Sequence, residues 1–67
     1  MSSIMPWRWH PYNRNYYADL PDRSYRVAMA GDWWYAYRKP LGKPWKLLAK
    51  KLYLHAAKNI CESDANH

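Results

Sequence analysis

Aliphatic side chains are scarce in this chain, and they are unevenly placed. Leu, Ile and Val number nine, and five of them (Leu47, Leu48, Leu52, Leu54 and Ile60) fall between residues 47 and 60. Ahead of them stand only Ile4, Leu20, Val27 and Leu41. The first 46 residues must therefore pack with Trp, Tyr, Met and Ala. Trp and Tyr offer large apolar faces, but each carries a polar tip that needs a partner. Such residues also dominate the energetic centres of interfaces. With 67 residues, a chain of this kind buries little surface and needs support from outside its own core. Cys61 is the single cysteine, so an intrachain disulfide is excluded, and a partner is the expected source of support. The competing expectation is a compact miniature core of packed rings.

Charge is segregated. Every Arg (Arg8, Arg14, Arg23, Arg26, Arg38) precedes every Lys (Lys39, Lys43, Lys46, Lys50, Lys51, Lys58). Residues 1–38 carry five Arg and three Asp, a net +2; residues 39–58 carry six Lys and no acid, a net +6; residues 59–67 carry Glu62 and Asp64, a net −2. The total is +6, so the excess charge rests on one stretch.

Punctuation by proline and glycine divides the chain into four parts. Residues 1–19 read as an extended aromatic and basic arm, because Pro6 and Pro11 restrict the backbone and disfavour helix before them. Residues 20–39 support two readings. The favoured one is a helix with Asp19 as N-cap, Pro21 in the first turn, Tyr25, Met29, Trp33 and Ala36 along one side, and a stop at Pro40. The other is a β-hairpin over 25–38 that turns at Gly31-Asp32. Trp33, Trp34, Tyr35 and Tyr37 favour strand, but an isolated hairpin is marginal in water. Residues 40–60 hold a basic amphipathic helix over 44–60, opened by Pro44. At 100° per residue, Trp45, Leu48, Ala49, Leu52, Ala56 and Ile60 form one stripe. Leu47 and Leu54 form a second line roughly opposite. Residues 61–67 read as a polar tail. The expected fold class is mostly α with an irregular arm.

Chemistry-bearing constellations are weak. Cys61, Glu62, Asp64 and His67, with His55 upstream, lack the paired spacing of a zinc site, so no metal and no cofactor is expected. Cys61 and His55, six residues apart, do not form a nucleophile–base pair on one helix face, and no enzyme activity or small-molecule substrate is expected. Gly31 and Gly42 are the only glycines, which excludes a glycine-rich phosphate loop. Residues 1–5 are too short and polar for a signal peptide, and no run is long enough to span a bilayer. Arg8 and Arg14 ahead of the first acid give a faint presequence character that Pro6 and Pro11 oppose.

The expectation is a non-enzymatic accessory or structural subunit that docks onto a larger protein assembly. Trp7, Trp9, Trp33, Trp34, Trp45, Leu48 and Leu52 are the expected anchors. Lys43, Lys46, Lys50, Lys51 and Lys58 are the expected contacts to an anionic surface. Two alternatives remain open: an RNA- or DNA-binding protein of ribosomal type, and a basic peptide lying on a membrane surface. The composition is similar to that of small accessory chains of mitochondrial and ribosomal assemblies, and an intracellular, mitochondrial location is expected by that analogy.

Overall fold

In the computed structural model, residues 5–66 are described. Five strands are followed by one helix: β1 (Arg8–His10), β2 (Asn15–Leu20), β3 (Arg23–Ala30), β4 (Trp33–Pro40), β5 (Lys46–Lys51) and α1 (Leu54–Ala65). The strands lie side by side in chain order and pair antiparallel throughout. The sheet is therefore a meander, with β1 and β5 at its edges and α1 across one face.

This corrects the mostly-α expectation, and residues 20–39 show why. They form β3, the Gly31-Asp32 turn and β4, not a helix. Every signal that suggested helix ends serves equally as strand punctuation. Pro21-Asp22 makes the tight β2–β3 turn, closed by the Leu20–Arg23 pair. Pro40 is the last residue of β4. Gly31, at φ 62°, supplies the left-handed first position of a two-residue hairpin turn. The objection that a lone hairpin is marginal fails because this one has a neighbour on each side and a helix over one face.

Burial follows period two. Tyr25 and Val27 of β3 are fully buried beside Ala18 of β2 and Ala36 of β4, and their register partners share that face. The same face carries Tyr16, Leu20, Trp34 and Arg38. Helical phase would have set Tyr25, Met29, Trp33 and Ala36 on one side, whereas strand phase separates Trp33 from Ala36.

The helix expected over 44–60 is absent before Leu54. Residues 46–51 are an edge strand, and its four lysine and alanine positions pair with β4. The register slips between Ala36 and Tyr37, leaving Leu48 as an extra residue between the Ala36–Ala49 and Tyr37–Leu47 pairs. That bulge turns Leu48 onto the core. Lysines along an exposed edge also discourage strand addition.

The helix instead runs from Leu54 into the segment read as a polar tail. Ala57 and Cys61, four apart, are fully buried, and Leu54, Ile60 and Ala65 pack against the core around them. Ala57 has almost no side chain, so the helix backbone approaches the sheet closely. The arm over 1–19 is corrected too. Residues 8–10 and 15–20 are strands, and Met5 is buried in the core. The expectation that the rings find company only outside the molecule falls with it. Trp7, Tyr16, Tyr25 and Trp34 all take part in the interior.

Candidate functional site: the uncovered face of the sheet

Because α1 takes the face of Tyr25 and Val27, the alternate residues point to the opposite face, which no element covers among the described residues. From the register, β4 contributes Trp33, Tyr35, Tyr37 and Lys39 there. Opposite them, β3 contributes Ser24, Arg26, Ala28 and Ala30. Tyr17 of β2 pairs with Arg26, and Arg8 of β1 pairs with Tyr17. His10 on β1, and Leu47 and Lys50 on β5, complete the face on the two edge strands. Ala28 and Ala30 leave the rings around them standing clear of the backbone.

Arg26 is the centre of this arrangement. Its guanidinium carbon lies 4.5 Å from the Tyr37 ring centroid and 4.8 Å from that of Trp45. Two rings thus fix one cation, and Arg stacks on aromatic faces better than Lys does. The Arg26 Nε is buried without a hydrogen-bond partner. Trp45 also meets the Tyr17 ring edge-on at 6.5 Å. On β4, the Tyr35 and Tyr37 rings lie near parallel, 26° apart in plane and 6.5 Å between centroids. Lys50 Nζ sits 4.4 Å from the Trp33 ring centroid.

The start of β2 holds the Tyr17 hydroxyl through Asn15. Asn15 is buried where β2 begins, directly after Arg14, which takes a left-handed φ of 52°. With its amide nitrogen donating to the carbonyls of Asn13 (2.8 Å) and Arg14 (3.0 Å), the Asn15 oxygen accepts the Tyr17 hydroxyl at 3.2 Å.

Electrostatically the face is one-sided. Arg8, Arg26, Lys39 and Lys50 stand on it, against Asp19 alone. Asp19 sits at one corner, where it accepts the Ser24 hydroxyl at 2.7 Å. Flat rings, fixed cations and little opposing charge suit a polyanion that carries planar groups.

The residues singled out by sequence scatter across the fold. Trp33, Trp45 and Lys50 belong to this face. Trp7 does not; its Nε1 donates to Glu62 Oε2 at 3.1 Å, tying the chain before β1 to α1. Trp34 and Leu48 pack against the core. Trp9 lies on the α1 side, 4.8 Å from the Tyr16 ring, and is 49% exposed. Leu52 is exposed in the link between β5 and α1. Lys58 is engaged by rings, with its Nζ 3.9 Å from Tyr16 and 5.6 Å from Trp7. Lys51 pairs with Trp34 on the helix side, and Lys43 and Lys46 flank the β4–β5 connection. The lysines therefore do not form a single cationic helix face.

Arg8, His10, Tyr17, Arg26, Tyr35, Tyr37 and Lys39 were not among the expected contacts. Their signal was the alternation Trp33, Tyr35, Tyr37, Lys39, which only strand phase brings together. At the other end of the molecule, Cys61 is buried and His55 is exposed, stacked on Tyr53. Burial, with Asp64 and Glu62 nearby, pushes the Cys61 thiol up to about 12. No group of three or more His, Cys, Asp or Glu side chains suited to a metal comes together among the described residues. His67 lies outside them. No helix among them is long and apolar enough to cross a membrane.

No protein-family model, curated protein or solved structure matches this chain.

Proposed function

We propose that this protein binds single-stranded nucleic acid across the uncovered sheet face. One observation carries the reading: Tyr17, Trp33, Tyr35, Tyr37 and Trp45 share a face with Arg8, Arg26, Lys39 and Lys50, opposite the helix. Unpaired bases stack on aromatic rings with little sequence preference, each worth about 1–3 kcal/mol. Cations between the rings meet the phosphates. A duplex hides its base faces, so a platform of rings favours the unpaired strand. Arg26, held between two rings, keeps its charge in place without further ordering cost on binding.

Salt titration with oligothymidine and oligouridine tests this. Engagement of about four cations gives a slope of roughly −3 in log affinity against log salt, at about −0.7 per contact on a single strand. A duplex of the same sequence binds more weakly. A flat salt response, or a preference for duplex, contradicts the proposal.

A second reading, docking onto a larger protein assembly, draws support from the β5 edge and the link that follows it. Leu47 and Leu52, 50% and 54% exposed, and Tyr53, 65% exposed, cluster along and after the edge strand β5. Large apolar side chains beside an open strand edge suit a protein surface. Co-purification with Leu52→Ser and Tyr53→Ser variants separates the two readings. Loss of a protein partner with nucleic-acid affinity unchanged supports docking; retention of the partner counts against it.

A further inference from the structure

The connection between β4 and β5 borders an open hollow of about 490 Å³ lined by Arg38, Pro40, Lys43, Pro44, Trp45 and Lys46. Its volume lies within the ~300–1,000 Å³ range of small-ligand clefts. The walls are built into the fold. Leu41 N donates to the Asp22 carbonyl at 3.1 Å, tying this connection to the β2–β3 turn. Lys43 N donates to the Pro40 carbonyl at 3.0 Å, and Gly42 between them takes a left-handed φ of 75°. Pro40 and Pro44 stiffen both sides.

Its chemistry is specific. Three cations line it and no acid does. Arg38 is partly neutralised by Asp64, with its Nη1 3.5 Å from Asp64 Oδ2, yet the Arg38 Nε is buried with no hydrogen-bond partner. Lys43 and Lys46 are exposed. The remaining walls, Trp45 and two prolines, are flat and apolar. Trp45 also belongs to the uncovered face through Arg26 and Tyr17. Arg38, Pro40 and Lys46 lie on the α1 side of the sheet by register, so the hollow sits at the sheet's end and joins the uncovered face through Trp45.

We propose that this hollow receives the terminal nucleotide of the bound strand, recognising a phosphomonoester at that end. The inference rests on the nucleic-acid reading above. A terminal phosphomonoester carries about −1.5 to −2 charge near pH 7, where an internal phosphodiester carries one and a hydroxyl end none. Lys43 and Lys46 meet the phosphate, and the indole of Trp45 supports the sugar and base. The extended site then has a polarity, with one strand end fixed at the β4–β5 connection and the rest crossing Tyr37 and Tyr35.

Tryptophan-fluorescence titration tests this with three forms of one short oligothymidine: 5′-phosphorylated, 3′-phosphorylated and hydroxyl at both ends. One phosphorylated form binds about tenfold more tightly than the hydroxyl form, and which one it is sets the strand direction. In Lys43→Gln/Lys46→Gln that preference disappears, while the hydroxyl form loses less. In Tyr35→Ala all three forms weaken together and the preference stays. Equal affinity for all three in the unmodified protein, or a preference that survives in the double variant, overturns the inference and leaves the face reading standing. Failure to bind any of the three removes the face reading itself, and the inference with it.

Discussion

The Tyr25 hydroxyl donates to Asp64 Oδ2 across 2.7 Å, joining the centre of the sheet to the last turn of the helix. Asp64 also faces Arg38 Nη1 at 3.5 Å, so one carboxylate ties together β3, β4 and α1. Both of these polar links between the two layers thus converge on Asp64. The ring of Tyr25 fills the core while its polar tip is satisfied at the edge, as a buried tyrosine requires.

Tyr25→Phe keeps the ring and removes that link. A hydrogen bond to a charged group is worth about 1.5–3 kcal/mol, and Asp64 keeps Arg38 as a partner. The variant therefore folds and loses stability in that range, read from urea unfolding. No measurable loss would show that the helix is not held through Asp64.

Stability falls on the alkaline side. Burial, then the hydrogen bond to Asp64, raises the Tyr25 hydroxyl to about 12 from 10.0. Burial raises the Cys61 thiol to about 12 from 9.0. Both groups bind their protons more tightly folded than unfolded. Their contribution is complete below about pH 9 and is lost as pH rises toward about 12. Urea midpoints at about pH 8 and about pH 10.5 give the slope, and Cys61→Ala makes it shallower. An unchanged slope in that variant contradicts the assignment.

Binding separates residues by the face they occupy. Tyr35→Ala removes a ring from the uncovered face and weakens single-strand binding by about 1–3 kcal/mol. His55→Ala, on the exposed side of α1, leaves affinity unchanged. Fluorescence titration of both variants checks the pair, and equal effects would mean that the strand does not lie on the sheet.

How far the fold was legible depends on which period the aromatic residues obey. Gly31-Asp32 marked a hairpin correctly, and Trp33 to Arg38 has the residue types of a strand. The helix reading prevailed because Asp19, Pro21 and Pro40 end strands and helices alike. Over 44–60 the stripe of Trp45, Leu48, Leu52 and Ile60 imitates a helix, since one bulge at Leu48 and a following true helix together mimic a 3.6-residue period. No local signal announces that bulge; pairing with β4 creates it. Cys61 and Asp64 looked like a tail because their partners, Val27 and Tyr25 among them, are distant in sequence. Of the site, Trp33, Trp45 and Lys50 were visible as surface aromatics and cations. Arg26, Tyr35 and Tyr37 emerged only once alternate residues were assigned to faces.

The most direct test is amide chemical-shift mapping on the ¹⁵N-labelled protein titrated with oligothymidine. The account predicts that shifts concentrate at Tyr17, Arg26, Trp33, Tyr35, Tyr37 and Trp45, with indole signals of Trp33 and Trp45 moving and that of Trp7 still. Shifts confined to residues 54–65, or none at saturating oligonucleotide, would contradict it.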